Sequence, residues 1–370
     1  MRKMINWQRI WDDDGNTSCY SPVRIIASIL SFFYLFIINF RNRLYDYKIL
    51  KEVTLPCPVI SVGNITVGGT GKTPCVIMLA QMLQENGFKP AVISRGYGGR
   101  NINPANIVSD GHKILLDSEI AGDEPSLIAH VLKGIPVITG AKRIVAGQAA
   151  VDQFGVNVLI CDDAMQHRQI FRDINLVLLD SQNLKGSNHI LPLGRLREPL
   201  KEISRASAVL FTRVNEAQQT NNKIEELIRA KNITVFRSIH KPKNIIRGDY
   251  GAQELISILA GKKVCAFCGI ANPDSFKKAL LAAGARVLSF DIFPDHHRYS
   301  KSELAKIEAK FIDCRADFLI STQKDGVRLQ NFPEFLKIIY MLSIGLEIIP
   351  SSEPFKKFIL ARLAAVKKII

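Results

Sequence analysis

An α/β fold is expected for this 370-residue chain: a parallel sheet with helices on both faces, a second and smaller α/β domain, and an apolar N-terminal helix. Three observations support this expectation. Short apolar segments alternate with helical patterns from residue 58 onward, which is typical of a helix-covered parallel sheet. A second series of the same kind begins near residue 205. Residues 25–40 form an uncharged apolar and aromatic segment.

The two series of apolar segments place the predicted strands and the domain boundaries. The first series predicts strands at residues 59–62, 91–94, 107–108, 136–139, 156–161 and 176–179, with helices after Thr73 and at 124–132 and 143–153. The second predicts strands at 208–212, 234–238, 263–268, 286–290, 318–321 and 338–341. Residues 355–370 have the pattern of a basic amphipathic helix. The predicted domains are therefore 1–45, 46–205 and 206–370.

The first predicted strand is followed by a glycine-rich turn and then by a helix. This strand, loop and helix order, with Lys and Thr at the end of the loop, is the arrangement that wraps a nucleotide phosphate chain, a P-loop. Thr66 occupies the position where the usual pattern has glycine, and the pair Gly68-Gly69 offsets this departure. We expect Lys72 to reach the β- and γ-phosphates and Thr73 to bind Mg²⁺. The residues predicted to bind the nucleoside triphosphate are Thr66, Val67, Gly68, Gly69, Thr70, Gly71, Lys72 and Thr73.

Three carboxylates stand where phosphoryl-transfer chemistry would use them. Asp162 and Asp163 end an apolar strand, the position from which a P-loop protein holds Mg²⁺, although an Asp pair can also cap the following turn. Asp123 precedes a helical pattern and could serve as the base for a hydroxyl acceptor, or simply as a helix cap. Both roles for Asp123 remain open at this point.

Basic residues and histidines follow several other predicted strands. Arg95 lies in the segment SRGYGG, and Arg143, Arg197 and the neighbouring Glu198 lie near other strand ends. These residues suit an anionic ligand, although solvated arginines in turns would look the same. His296 and His297 could relay a proton or orient a base, or could be ordinary surface histidines.

Composition limits the partners of the chain. A net charge of +15 is consistent with an anionic partner, for which nucleic acid, anionic lipid and phosphorylated substrates are the candidates. No nucleic-acid-binding motif is present, so the latter two are favoured. Seven scattered cysteines indicate a reducing compartment. Cys265 and Cys268 form the one CxxC pair, and we favour two core cysteines over a zinc site with His296 and His297.

The apolar segment at residues 25–40 is flanked by Arg24 and by Arg41 and Arg43. Sixteen residues are fewer than the roughly 20 that span a bilayer. An interfacial helix, a marginal membrane span and a buried core helix therefore all remain possible, and the basic flanks favour an anchor on an anionic cytoplasmic face.

Seven segments in a fixed order resemble the tetraacyldisaccharide 4′-kinase (lipid A 4′-kinase) family over nearly the whole chain. They are VGNITVGGTGKTP (62–74), SRGYGG (94–99), GDEP (122–125), DDAMQHR (162–168), LPLGRLREP (191–199), FPDHHRY (293–299) and TQKD (322–325). The departures are small: Ala164-Met165 replaces the family's usual Gly-Phe, and Gln323 its usual Glu. The TQKD segment also lacks the spacing for guanine recognition, so ATP is preferred over GTP.

The resemblance implies transfer of the ATP γ-phosphoryl group to the 4′-hydroxyl of a tetraacyldisaccharide 1-phosphate, at the cytoplasmic face of the inner membrane. It implies ATP and Mg²⁺ as cofactors, an anionic glycolipid as substrate and a membrane surface as partner, and we expect a monomer. The residues it implicates are Lys72, Asp123, His296 and His297 in catalysis, Thr73, Asp162 and Asp163 at the metal, and Arg95, Arg143, Arg197 and Glu198 at the substrate.

Two other classes of function remain open on the sequence. A membrane-associated P-loop ATPase or GTPase switch would hydrolyse nucleotide without the lipid. A nucleotide-gated membrane scaffold would form no phosphorylated product at all.

Overall fold

The computed structural model describes residues 22–100, 102–183, 189–216 and 222–366. The helices are α1 (Pro22–Asp46), α2 (Lys72–Glu85), α3 (Ser118–Ala121), α4 (Asp123–Val131), α5 (Arg143–Phe154), α6 (Asn222–Ala230), α7 (Pro273–Ala282), α8 (Lys301–Asp313), α9 (Gln323–Arg328), α10 (Pro333–Ile338) and α11 (Glu353–Ala365). The strands are β1 (Val59–Asn64), β2 (Pro90–Ser94), β3 (Asn106–Ser109), β4 (Val137–Thr139), β5 (Val158–Asp162), β6 (Ile174–Asp180), β7 (Ala208–Thr212), β8 (Thr234–Arg247), β9 (Gln253–Leu255), β10 (Lys263–Cys268), β11 (Arg286–Ile292), β12 (Phe318–Thr322) and β13 (Ile339–Ile349).

The described residues divide into two compact units. The first unit comprises the chain up to Ile93, residues Arg143–Ile239 and the chain from Leu346 onward. Its strands pair in parallel in the order β2, β5, β1, β6, β7 and the first part of β8. Strands β1, β5 and β6 are buried at every position, which is the burial expected of parallel strands covered on both faces.

The second unit comprises Ser94–Lys142 and His240–Gly345. Its parallel strands lie in the order β11, β10, β12 and β13. Two antiparallel pairs, β3 with β4 and β8 with β9, belong to the same unit. Cys265 and Cys268 are buried on β10, as core cysteines on a strand would be.

The α/β fold and most of the predicted elements are confirmed, but three details differ from the expectations. Strand β7 was expected to begin the second domain, whereas its parallel pairing with β6 places it in the first unit. Strands β3 and β4 pair antiparallel with each other, whereas all strands of the first series were expected to be parallel. Each predicted domain is one continuous stretch of chain, with boundaries at 45 and 205. In the structure the chain instead passes between the two units four times, within or beside β2, α5, β8 and β13.

The two terminal helices differ in how they are covered. Helix α11 buries Phe355, Ile359 and Leu363, which have the spacing of one helix face, and Phe355 packs edge-on against Phe236. It is therefore a docking helix of the first unit, while Lys367 and Lys368 of the predicted basic helix lie outside the described residues. Helix α1 is 25 residues long, and its length and composition would allow it to cross a membrane.

Candidate functional site

The loop between β1 and α2 has the backbone shape that its glycines allow. Gly68 and Gly71 have φ angles of 112° and 84°, a region that side chains rarely adopt. Gly71 directly precedes Lys72, the first residue of α2. The loop therefore leads into the positive end of a helix dipole, where backbone N–H groups can bind an anion.

Side chains at the ends of nearby strands form hydrogen bonds with this loop. The amide of Asn64 donates a hydrogen bond to Thr70 Oγ1 at 3.1 Å, and the hydroxyl of Thr212 donates to the carbonyl of Thr70 at 3.0 Å. Arg213 donates to the carbonyl of Gly69 at 2.8 Å and to Asp180 at 2.7 Å. These contacts fix the loop from one side, the preorganisation that phosphate binding requires.

Lys72 and the two carboxylates at the end of β5 form a charged cluster in the first unit. Lys72 Nζ lies 3.6 Å from Asp163 Oδ1, and the guanidinium of Arg197 donates to both oxygens of Asp163, at 2.9 and 2.8 Å. Burial alone would raise the pKa of Asp163, but the charges of Lys72 and Arg197 outweigh it and hold that pKa below its ordinary value. Asp163 is therefore an anion that orients Lys72.

Backbone strain marks the same turn. Asp163 has a φ angle of 47°, which is uncommon for a residue with a side chain. Arg143 is buried and donates to the carbonyls of Asp162 and Asp163 at 3.0 and 2.8 Å. Its guanidinium thus stabilises a strained turn, a feature that clusters at functional sites.

Asp162 and Thr73 supply oxygen atoms suited to Mg²⁺. Asp162 is the last residue of β5 and pairs in register with Val62 of β1, the strand that leads into the loop. Thr73 lies in the first turn of α2, and both side chains are buried. A carboxylate and a hydroxyl are hard ligands of the kind that Mg²⁺ prefers, so this donor set fits the ion.

The second unit contains the candidate base. Asp123 is the first residue of α4, after Gly122, whose φ angle is 89°. A Cβ atom at Gly122 would lie 2.5 Å from the carbonyl oxygen of Tyr97, and one at Gly99 would lie 2.2 Å from that of Ile120. The glycines of the SRGYGG segment therefore allow close backbone packing that shapes the turn before Asp123, while Arg95 is exposed.

The Asp123 carboxylate binds two partners through one oxygen. His296 Nδ1 lies 2.8 Å from Oδ2, and Arg328 Nε donates to the same Oδ2 at 2.7 Å. Burial opposes ionisation of this carboxyl, but the hydrogen bond from His296 and the charge of Arg328 prevail and lower the pKa of Asp123 to about 2. Asp123 is therefore ionised at neutral pH.

His297 has a different environment from its neighbour. Its ring stacks on Phe293 with centroids 4.8 Å apart, and its Nε2 lies 3.1 Å from Glu303 Oε1. These contacts belong to the packing around α8, whereas His296 contacts Asp123. Of the two predicted histidines, His296 is thus the one that pairs with the candidate base Asp123.

Glu198 does not have the exposure expected of a substrate ligand. Its carboxylate is fully buried and accepts hydrogen bonds from Arg41 at 2.9 Å, Gln166 at 3.3 Å, Asn42 at 3.4 Å and Arg205. Both carboxylate oxygens of Glu198 are therefore occupied by bonds within the protein, which differs from the predicted contact with substrate. Glu198 ties α1 to the segment that carries Arg197.

Helix α1 is held along one side and exposed along the other. Ser31 donates to the carbonyl of Ile190 at 3.0 Å, and the hydroxyl of Tyr34 donates to that of Arg197, also at 3.0 Å. The opposite side exposes a continuous apolar surface, here called the α1 face: Ile25, Ile26, Ile29, Leu30, Phe32, Phe33, Phe36, Ile37 and Phe40. Patches of this kind mark interaction surfaces.

The predicted site residues fall into two groups. The first unit holds Thr66–Thr73, Asp162, Asp163, Arg143, Arg197 and Glu198; the second holds Arg95, Asp123, His296 and His297. The sequence reasoning missed Asp180, Thr212 and Arg213, which stand at the ends of β6 and β7 as Asp162 does at the end of β5. Applying the same strand-end rule to these strands would have found them, whereas Arg328 had no comparable signal.

Comparisons with known proteins identify relatives of this chain. A family model described as tetraacyldisaccharide-1-P 4′-kinase, LpxK, matches residues 23–364. The tetraacyldisaccharide 4′-kinase of Syntrophus aciditrophicus is 42% identical over 93% of this chain and 94% of its own length. That of Desulfatibacillum aliphaticivorans is 38% identical over 91% and 92%.

A solved structure extends the likeness to the fold. The crystal structure of LpxK from Aquifex aeolicus in complex with ATP is 32% identical, with a TM-score of 0.76, and the match covers 92% of this chain and 99% of that one. The sequence, the fold and the arrangement of the site thus lead to one assignment. This chain belongs to the tetraacyldisaccharide-1-P 4′-kinase family.

Proposed function

We propose that this protein transfers the γ-phosphoryl group of ATP to the 4′-hydroxyl of a tetraacyldisaccharide 1-phosphate, forming the 4′-phosphorylated lipid A precursor. Family membership over residues 23–364 supports the reaction, and the relative solved with ATP supports the donor. The observation that carries the proposal is the pairing of His296 with an ionised Asp123, in a chain that also has a complete P-loop. A phosphate-binding loop alone would serve any nucleotide hydrolase.

The first unit binds the donor in this proposal. The backbone of residues 66–73 holds the phosphates, and Lys72, oriented by Asp163, neutralises charge on the transferred group. Thr73 and Asp162 would hold Mg²⁺, which would supply positive charge to stabilise the negative charge that develops on the phosphates during transfer. Asp163 was also expected at the metal, but its pairing with Lys72 and Arg197 favours a role in positioning these cations.

The second unit activates the acceptor in this proposal. Deprotonation makes a sugar hydroxyl a better nucleophile, and a positioned carboxylate–imidazole pair can accept its proton. His296 exposes about half of its side chain, so its ring remains accessible to a hydroxyl. The arginines at positions 95 and 197 remain candidates for anionic groups of the substrate, whereas the buried Arg143 acts through the Asp162–Asp163 turn.

Membrane association follows from the substrate and from helix α1. The acyl chains of a tetraacylated disaccharide stay in a bilayer, so the enzyme must work at its surface. The α1 face supplies an apolar surface for the anchor, and the net charge of +15 favours an anionic membrane. We therefore propose a monomer anchored by α1 at the cytoplasmic face of the inner membrane.

Label transfer tests the proposed reaction against the alternatives. Purified protein in detergent receives γ-labelled ATP, Mg²⁺ and tetraacyldisaccharide 1-phosphate, and the lipids are then separated. The proposal predicts label in the lipid with wild type and none with Lys72→Ala. Label released only as inorganic phosphate would indicate a nucleotide-hydrolysing switch, and absence of both products from folded protein would indicate a scaffold.

A further inference from the structure

Arg328 has an unusual position for a charged side chain. It lies at the end of α9, and its guanidinium is fully buried. Its Nε donates to Asp123 Oδ2 at 2.7 Å, and its Nη1 donates to the carbonyl of Gly269 at 2.7 Å and to Asp325 Oδ1 at 3.1 Å. A buried charge is retained only where it is paired, so its two carboxylate partners define its role.

Asp325 binds the guanidinium of Arg328 and fixes its position. Its carboxylate is fully buried and accepts hydrogen bonds from the backbone N–H of Gly269 at 3.0 Å, the hydroxyl of Tyr299 at 2.9 Å and the hydroxyl of Thr322 at 2.6 Å. These donors come from the loop after β10, the segment before α8 and the end of β12. Asp325 is thus fixed from three sides, and Arg328 is fixed with it.

The geometry at Asp123 determines which atom of His296 can react. Arg328 Nε and His296 Nδ1 share Asp123 Oδ2, and an ionised carboxylate only accepts hydrogen bonds. The Nδ1 of His296 must therefore carry a proton and donate it. The neutral imidazole then has its lone pair on Nε2, the nitrogen directed away from Asp123.

We propose that Arg328, held by Asp325, is a positioning residue: it fixes the Asp123 carboxylate against His296 Nδ1 and so orients the pair that takes the hydroxyl proton in the proposed function. This inference rests on the proposed function and deepens it. As the acceptor oxygen forms its bond to the γ-phosphorus, the bond from that phosphorus to the ADP oxygen breaks. The hydroxyl proton passes to Nε2, and Asp123 stabilises the resulting imidazolium.

Other charged groups also lie near this pair. Arg298 Nη2 lies 3.4 Å from Asp123 Oδ1, and Asp295 Oδ2 lies 3.9 Å from His296 Nε2. Glu124 and Lys324 pair with each other at 3.1 Å in the same region. Arg328 Nη2 lies 3.4 Å from His296 Nδ1, so Arg328 contacts both members of the pair.

The first test follows His296 itself by NMR. Protein labelled with ¹⁵N-histidine is studied in detergent by ¹H–¹⁵N correlation, which shows which ring nitrogen carries the proton, and His296→Asn assigns the resonances. We expect the proton on Nδ1 in wild type and in Arg328→Lys, and a mixture of the two ring tautomers in Arg328→Gln, because Asp123 Oδ2 is then no longer held against Nδ1. The double variant Arg328→Gln/Asp325→Asn removes the buried pair together and provides a folded comparison if Arg328→Gln does not fold.

The second test follows catalysis. We expect Arg328→Gln to lower kcat about 100-fold with KM for ATP unchanged, and Arg328→Lys to restore part of the loss. Arg247→Gln is the control, since it removes an exposed Arg–Asp pair elsewhere in the second unit. A wild-type tautomer of His296 and a wild-type kcat in folded Arg328→Gln would overturn the assignment. A changed tautomer in Arg328→Gln, when even the wild-type enzyme labels no lipid, would support the positioning role and reject the proposed reaction.

Discussion

His296 Nδ1 and Asp123 Oδ2 lie 2.8 Å apart, although 173 residues separate them along the chain. The fold joins them because Asp123 begins α4 while His296 lies in the loop after β11, within one compact unit. Arg328 completes the arrangement from a third segment. A carboxylate, an imidazole and a buried cation thus form a site that no single motif contains.

The two adjacent histidines should differ sharply in kinetics. His296→Asn should lower kcat by about 10² to 10⁴-fold with little change in KM for ATP, because it removes the proton acceptor and leaves the phosphate loop intact. His297→Asn should keep kcat within a few fold, since its contacts are with Phe293 and Glu303. Steady-state kinetics with the lipid acceptor measures both. A larger loss in His297→Asn would reverse the assignment.

The ionised state of Asp123 predicts a pH dependence of local stability. Its pKa is about 2 in the folded chain against an ordinary value of 3.8, so ionisation contributes about 2 kcal/mol above pH 4, and this contribution is lost as pH falls through about 2. Hydrogen exchange in α4 should therefore show wild type more protected than Asp123→Asn at pH 6. The difference should shrink at pH 3. An equal difference at both pH values would exclude this linkage.

Arg213 should increase the affinity for ATP and take no part in the chemical step. Its guanidinium joins the carbonyl of Gly69 to Asp180, so Arg213→Ala should loosen the phosphate loop and raise the Kd for ATP about tenfold. Isothermal titration with ATP and Mg²⁺ provides the measurement. Arg229→Ala, which removes an exposed arginine of the same unit, is the matched control. Equal affinities in the two variants would show that the loop holds its shape unaided.

Glu198 should stabilise the fold through α1. Glu198→Ala leaves Arg41 and Arg205 without their buried carboxylate, which should cost about 3 kcal/mol and expose the amides of α1 to hydrogen exchange. Glu202→Ala removes a second carboxylate from the same Arg205 and serves as the control. It should cost less stability, because the bonds to Arg41 and Asn42 of α1 are made by Glu198 and remain in this variant. Full protection of α1 in Glu198→Ala would contradict the coupling.

The α1 face should carry the membrane affinity. Phe32→Ser combined with Phe36→Ser removes two exposed aromatic rings and should lower binding to anionic vesicles at least tenfold, since burying one such ring contributes about 1.5 to 3 kcal/mol. Flotation with vesicles containing phosphatidylglycerol measures the bound fraction. Ile312→Ser, at an equally exposed apolar residue of the second unit, is the control and should bind as wild type does.

Local patterns predicted the elements well because the strands of the first unit are short continuous apolar runs and the P-loop has a fixed spacing. The predicted strand at 59–62 corresponds to β1, and the helix after the loop begins at Lys72. Asp162 was predicted at a strand end and is found there. These features depend on neighbouring residues, so one sequence is enough to show them.

Features that depend on contacts between distant segments of the chain could not be predicted from the sequence. The apolar pattern of β7 does not say which strand it pairs with, and its hydrogen bonds to β6 place it in the first unit. Glu198 looked like a ligand because it stands beside Arg197, whereas its partners lie on α1 and in the segment after β5. Arg328 carries no motif, and only the fold shows that it contacts Asp123.

The position of the transferred phosphate tests the central claim most directly. Wild-type protein is incubated with ATP, Mg²⁺ and tetraacyldisaccharide 1-phosphate, and the purified lipid is analysed by ³¹P NMR with proton correlation. We expect a second phosphomonoester coupled to the 4′ proton with wild type, and none with His296→Asn on the same timescale. Consumption of ATP with a lipid that still carries only its 1-phosphate would contradict it.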